Sequence, residues 1–349
     1  MALYPSFSFT PYGRSSLPSI VLTTLVLLLV TLLSFPSYAH KVMSGELAKH
    51  LKAINYGSKS DDKWVQPNHH EQQQFEAGFA AFISQNYPLA QELVAPIGYD
   101  VAQFFDTNTQ TTYYLLQERA TLPSADFRGG GTYIYNPNGL NAILQAPHPK
   151  RDSFTGTQAI DAFLFTETKL LMLAGTRRDS SHALSSCTNG HYEASDVAHQ
   201  TDSYFNVVHK YMSDFDDNSV FIQYHGFGKT TLAKLQNQCM TNNDLMLNLS
   251  ESVNYNTTEN EQSILHSLRR AVEEDGKVAA CVYGNDTKSL GGTWNVQARY
   301  TNGSANICST SSTASSKRFI HLEQSYNVRK FHRDDMQKYL KKALENHFL

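Results

Sequence analysis

The chain has 349 residues, 41% of them hydrophobic and 17% charged, with 29 Lys+Arg against 32 Asp+Glu. That composition excludes a disordered or collagen-like chain, and the length provides for one large domain or two modest ones. A formal net charge of −3 leaves no electrostatic footprint for nucleic acid and no polybasic patch for a membrane surface. Histidine is the abundant functional residue type, with 14 copies, all from His40 onward.

Residues 1–39 stand apart. Arg14 is their only charged side chain, and an apolar run from Leu17 to Phe35 leads into Pro36-Ser37-Tyr38-Ala39. Small residues at Ser37 and Ala39 match an A-x-A-like cleavage pattern. The expectation is a signal peptide cut near Ala39, with an uncleaved anchor as the alternative because the run is long. Cleavage would leave a secreted or periplasmic mature chain, free of the membrane. Cys187, Cys239, Cys281 and Cys308 fit two disulfides in an oxidising compartment. Of the three pairings, Cys281–Cys308 across a hairpin is expected, leaving Cys187–Cys239. Sequons at Asn248, Asn256, Asn285 and Asn302 matter only in a eukaryotic secretory pathway.

The polar, Lys-rich stretch 40–67 reads as a loosely attached lead-in. Asn68 caps a helix with Phe75, Phe79, Phe82 and Ile83 on one face, and a second helical stretch covers 88–105 with a break at Pro96-Ile97-Gly98. Residues 40–110 are thus expected as a helical lead-in to a catalytic domain over 111–349. Strands at 113–116 and 132–135 flank the Gly129-Gly130-Gly131 turn. A regular alternation begins after them. Strand 141–147 precedes helix 157–168 and strand 170–175. A helix capped by Ser195 then carries Tyr204, Phe205, Val208 and Met212, before strand 219–224. A helix over 260–274 ends at Gly276, and strands 278–283 and 318–322 and a terminal helix over 333–347 complete the series. The pattern predicts an α/β fold, a mixed, mainly parallel sheet with helices on both faces. The Gly-, Ser-, Thr- and Asn-rich stretch 287–316 is an excursion from it.

In an open α/β sheet, ligands bind beyond the carboxyl ends of the strands. The residues just past each strand are therefore informative. His148-Pro149-Lys150-Arg151-Asp152 comes after one, Thr176-Arg177-Arg178-Asp179 after another, His225-Gly226-Phe227-Gly228 after a third, and Glu323 ends the last. Zinc accepts imidazole nitrogen and carboxylate oxygen, and a catalytic site uses three protein ligands. His148, Asp152 and His225 supply such a set. Glu323 suits a general base acting on metal-bound water. Arg177 or Arg178 suits an oxyanion or a substrate carboxylate, with pairing to Asp179 as the alternative, and Arg299 and Arg329 are further substrate-binding candidates. His199, with Asp196 and Asp202 on the polar side of a helix, suits a surface position or outer support of a site more than ligation. His182 and His191 lie in a loop without spacing that demands a metal, and His69-His70 faces water at a helix start. GFGKTT after His225 is not a P-loop, because Gln223 stands where the first glycine is required. There is no H-E-x-x-H and no G-x-S-x-G.

The order of these residues resembles the superfamily of zinc carboxypeptidases, N-formylglutamate amidohydrolases and succinylglutamate desuccinylases, over roughly residues 130–330. The resemblance implies a mainly parallel sheet and a zinc held by a His-x-x-Glu pair plus a later His. It also implies an arginine for the substrate carboxylate or carbonyl and a late glutamate as general base. The pair's histidine falls on His148, the later one on His225, the arginine on Arg177 or Arg178 and the late glutamate on Glu323. Arg151 stands where the pair's glutamate belongs, and the nearest carboxylate is Asp152. The expected function is an exported, one-zinc hydrolase cleaving an amide of an acidic N-acyl amino acid or peptide. A metal-dependent phosphoesterase and a non-enzymatic anion-binding protein are the alternatives.

Overall fold

The computed structural model describes residues 40–253 and 263–348. The expected signal segment, Asn256 and the first residues of the helix expected from 260 lie outside the described residues. Among those described, ten strands form one sheet. They are β1 (Lys41–Gly45), β2 (Tyr99–Asp106), β3 (Thr111–Glu118), β4 (Thr132–Tyr135), β5 (Leu140–Ala146), β6 (Thr168–Leu173), β7 (Val220–Gly226), β8 (Met246–Ser250), β9 (Ala279–Val282) and β10 (Phe319–Gln324). Their spatial order is β1-β2-β3-β4-β6-β5-β7-β10-β8-β9. β6, β5, β7 and β10 run parallel at the centre, while β4 on one side and β8 on the other oppose them. The fold is α/β with a mixed sheet, as the alternation of strands and helices predicts.

Neighbouring residues on the central strands point to opposite faces, so a continuous apolar run feeds two cores. Leu144, Ile222 and Ile320 pack with helices α1 (Leu47–Lys52), α4 (Thr155–Thr166), α7 (Ile264–Asp275) and α10 (Arg333–Phe348). Ile143, Phe221 and Phe319 pack on the other face with α2 (His69–Ile83), α3 (Tyr87–Val94) and α5 (Tyr204–Phe215). Three shorter or peripheral helices, α6 (Lys229–Gln238), α8 (Val296–Thr301) and α9 (Tyr326–Phe331), complete the α-helices among the described residues. No described helix is long and apolar enough to cross a membrane.

Several expectations change. The stretch 40–67 is not loosely attached: β1 pairs in parallel with β2, and Leu47 and Leu51 are fully buried in the core. The helix expected over 88–105 stops at Val94, because Pro96 and Gly98, the latter at φ +84°, turn the chain into β2. Residues 40–110 thereby give two strands to the same sheet as the rest. Ser195 does not cap a helix. Its hydroxyl accepts from the N–H groups of Ser180 and Ser181 and donates to the Arg178 carbonyl, and Ser203 caps α5 instead. β8 and α6 are not expected from the sequence pattern.

The disulfides are also re-paired, as Cys187–Cys308 and Cys239–Cys281. No hairpin joins 281 to 308, because α8 intervenes and carries Cys308 to the loop containing Cys187. Cys281, on β9, meets the C-cap of α6 at Cys239 and packs with Phe227, Leu235 and Met246. Asn248 is buried, with its amide donating to the Ser289 and Leu290 carbonyls, and Asn302 is buried against Glu251, so neither is open to a glycan in the folded chain. Asn285 is exposed.

Leu51→Ala tests the integration of the amino-terminal segment. Truncating a fully buried leucine is expected to remove about 2–5 kcal/mol in urea melts. A loosely attached segment would lose less than about 0.5 kcal/mol.

Candidate functional site

β5, β7 and β10 lie side by side and parallel, so their carboxyl ends open on one rim. The β7–β10 register sets Glu323 beside His225 and His321 beside Gln223. His148 leaves β5 into a tight turn in which the Asp152 N–H and the Thr155 hydroxyl both donate to the His148 carbonyl, folding Asp152 back beside it. His148 Nδ1 is 3.2 Å and His225 Nδ1 3.7 Å from the same Asp152 oxygen, Oδ2. The two imidazole rings meet edge to face at 4.9 Å between centroids. His148, Asp152 and His225 are all buried, and one ligand atom from each lies within 4.8 Å of the others. A second group with the same spacing is His225, His321 and Glu323.

The donor set suits a divalent ion of the zinc type, which prefers imidazole nitrogen and carboxylate oxygen. Two buried atoms on the same rim, His321 Nδ1 and Glu323 Oε2, meet no hydrogen-bond partner among the described residues. Buried polar atoms without a protein partner are free to meet a bound ion or water, and these two face the same rim as the ligand group.

Charge is balanced around this group. Burial opposes a proton on His148, but the Asp196 and Asp152 carboxylates outweigh it and hold the ring up at about 9. Burial would raise Asp152 and Asp196, yet the facing His148 holds both well below the usual carboxylate range. His225 is driven well below the ordinary imidazole value by burial and by the neighbouring His321 and His148. It is the neutral ring of the pair. Asp196 Oδ1 accepts from His148 Nε2 at 2.8 Å and contacts His199 Nδ1 at 3.1 Å, while Tyr192 stacks on His199 at 3.5 Å. Support of this kind orients a ligating imidazole and raises its basicity.

The arginines separate. Arg178 lines the cleft with Nη1 3.8 Å from Asp152 Oδ1 and 3.4 Å from His148 Nδ1. Arg177 is held in two bonds by Asp179 and does not line it. Arg329 is buried against the rim and donates to the Ser325 and Phe227 carbonyls. A Cβ at Gly226 would lie 1.8 Å from its guanidinium, so only glycine lets Arg329 approach the backbone beside His225. Arg299 is away from the cleft, donating to the carbonyls of Thr293, Ile307 and Cys308. It holds the loop that bears the disulfide. His182 pairs with Asp62 at the surface, and His69 and His70 are exposed.

The cleft over the rim has a volume of about 1110 Å³. Tyr192 and Trp294, whose rings meet edge to face, line it together with Phe227, Lys229 and Tyr326. The sequence pattern does not reveal Asp196 as the partner of His148, nor His321 as a site residue. His321 sits two residues before Glu323, so strand periodicity alone puts both side chains on one face.

No protein-family model and no curated protein matches this chain. Among solved structures, one similar chain is a bacteriophage poly-gamma-glutamate hydrolase. It is 13% identical, with a TM-score of 0.35, over 60% of this chain and 84% of that one.

The folded chain without metal binds the His148 proton more tightly than the unfolded chain does. The stability this provides is complete below about pH 6.5 and is lost as the pH rises through about 9. Chelator-treated protein should therefore melt at progressively lower temperature across that interval. His148→Gln should flatten the slope, and an unaltered slope in the variant would place its origin elsewhere.

Proposed function

We propose that this chain is an exported, zinc-dependent hydrolase cleaving an amide bond in an acidic N-acyl amino acid or peptide. The observation that carries the reading is the convergence of His148, Asp152 and His225 within 4.8 Å on a rim where Glu323 keeps a carboxylate oxygen free. Two disulfides support an oxidising compartment, in keeping with the apolar amino-terminal run.

When bound at such a site, zinc lowers the pKa of a coordinated water to about 7 and polarises a carbonyl. The chain's own groups supply the rest. Glu323 Oε1 is engaged by His321 Nε2 at 3.3 Å, which leaves Oε2 to take a proton from the attacking water and return it to the leaving nitrogen. Arg178 stands over the ligand group and stabilises negative charge developing on the carbonyl oxygen. Arg329, fixed beside Gly226, attracts a substrate carboxylate. Arg177 and Arg299 are committed to Asp179 and to loop carbonyls, and neither has a part in this scheme.

A two-metal phosphoesterase is the second reading, favoured by the adjoining group of His225, His321 and Glu323. In it the arginines would bind phosphate, and a substrate panel separates the two.

Metal analysis of the mature protein is expected to return about one zinc per chain. His148→Ala and His225→Ala should lose the metal and all amidase activity. Glu323→Gln should keep the metal while kcat falls by about 10²–10⁴. Active enzyme without zinc would reject the reading, and two ions with phosphoester turnover would establish the second.

A further inference from the structure

We propose that Gln223 is a positioning residue that locks His225 in one tautomer, with the Nε2 proton turned into the core and the Nδ1 lone pair turned to Asp152 and His148. The polarity of this lock is set by two backbone carbonyls deep in the protein.

The chain of donors and acceptors has one consistent direction. His209 Nε2 lies 2.9 Å from the Gln297 carbonyl, which only accepts, so the proton of this ring is on Nε2. Burial pushes His209 down to about 3, so the ring is neutral and its Nδ1 is an acceptor. Gln145 must then present its NH₂ to that Nδ1, at 2.9 Å, and its Oε1 to the other side. Gln223 Nε2 donates to this Oε1 at 2.9 Å. A second anchor acts independently. The Val197 carbonyl takes the amide NH₂ of Gln297 at 2.8 Å, which turns Gln297 Oε1 to Gln223 Nε2 at 3.3 Å. Both routes leave Gln223 with its Oε1 directed at His225, whose Nε2 is 2.7 Å away. Asn295 Nδ2 donates to the same oxygen, which excludes the flipped amide.

Gln145, Gln223, Gln297 and His209 are fully buried. Their bonds are shielded from bulk solvent, and reversing one member would oppose donor to donor at the next. The consequence at the rim is a bare Nδ1 that faces a carboxylate oxygen 3.7 Å away. Two acceptors so placed repel each other until a cation comes between them. The lock thus favours a metal over a hydrogen bond at this position.

The test begins with the unaltered, metal-free protein. Long-range ¹H–¹⁵N spectra, with His225 assigned from its loss in His225→Gln, should show the Nε2–H tautomer. Nδ1–H would overturn the proposal. In Gln223→Met the tautomer should become mixed and the zinc dissociation constant should rise about 10–100-fold, read by chelator competition. Gln145→Met, which does not touch His225, should give a smaller rise. A folded Gln223→Met with unchanged zinc affinity would also overturn the proposal. If that variant does not fold, the wild-type tautomer decides alone. The consequence for affinity rests on the zinc reading. The tautomer does not, so a protein that binds no zinc but shows Nε2–H sinks that reading and leaves this one standing.

Discussion

One carboxylate oxygen holds the candidate site together. Asp152 Oδ2 lies 3.2 Å from His148 Nδ1 and 3.7 Å from His225 Nδ1, and it accepts the Gly226 N–H at 3.2 Å. The bonds to His148 and Gly226 join the loop after β5 to the end of β7, so the spacing of two imidazoles depends on an acid that belongs to neither strand. A buried carboxylate is costly unless it is paired and hydrogen-bonded. Asp152 meets that requirement through His148, Gly226 and the Arg178 guanidinium nearby. Removing any of these leaves the same negative charge with fewer partners, which ties the stability of the rim to its chemistry.

The held proton on His148 has a further meaning. Between Asp152 and Asp196 this ring carries the positive charge that makes two buried carboxylates tolerable in the absence of a metal. A divalent ion taking its place at Nδ1 would expel one proton and, bringing two positive charges for the one lost, would neutralise both carboxylates, while the Nε2 proton stays on the bond to Asp196 and holds the ring orientation. His225 is prepared differently. It is kept neutral, with its proton committed to an amide in the core. On the zinc reading proposed above, the first ring would exchange a proton for the metal and the second would offer a lone pair already in place.

The sequence discloses only as much of this as periodicity can report. Apolar runs mark β5, β7 and β10, and the rule that ligands gather beyond their carboxyl ends brings His148, Asp152, His225 and Glu323 into view. β1 and β2 escape it, because Lys41 and Ser44 interrupt the first and a helical pattern runs on through Pro96 into the second. The bond from Asp196 to His148 is hidden for another reason. Asp196 reaches His148 from a loop that neither repeats nor alternates, in which Ser195 ties two loops where a cap is expected. Gln145 and Gln223 read as blemishes in apolar strands, although both are fully buried members of the network behind His225. The cysteine pairing fails because closeness in the chain says nothing about α8, which stands between Cys281 and Cys308.

The outer wall shows how the two halves of the problem meet. The loop that delivers Asp196 also carries Cys187, and the disulfide binds it to the loop of Cys308. Arg299 grips that second loop through the Ile307 and Cys308 carbonyls. Its helix, α8, contributes Gln297 to the network behind His225 and opens just after Trp294 on the cleft bank. The excursion between β9 and β10 therefore supports His148 from outside through Asp196 and His225 from inside through Gln297. A guanidinium that looks in sequence like a substrate ligand is a brace at the point where both supports converge.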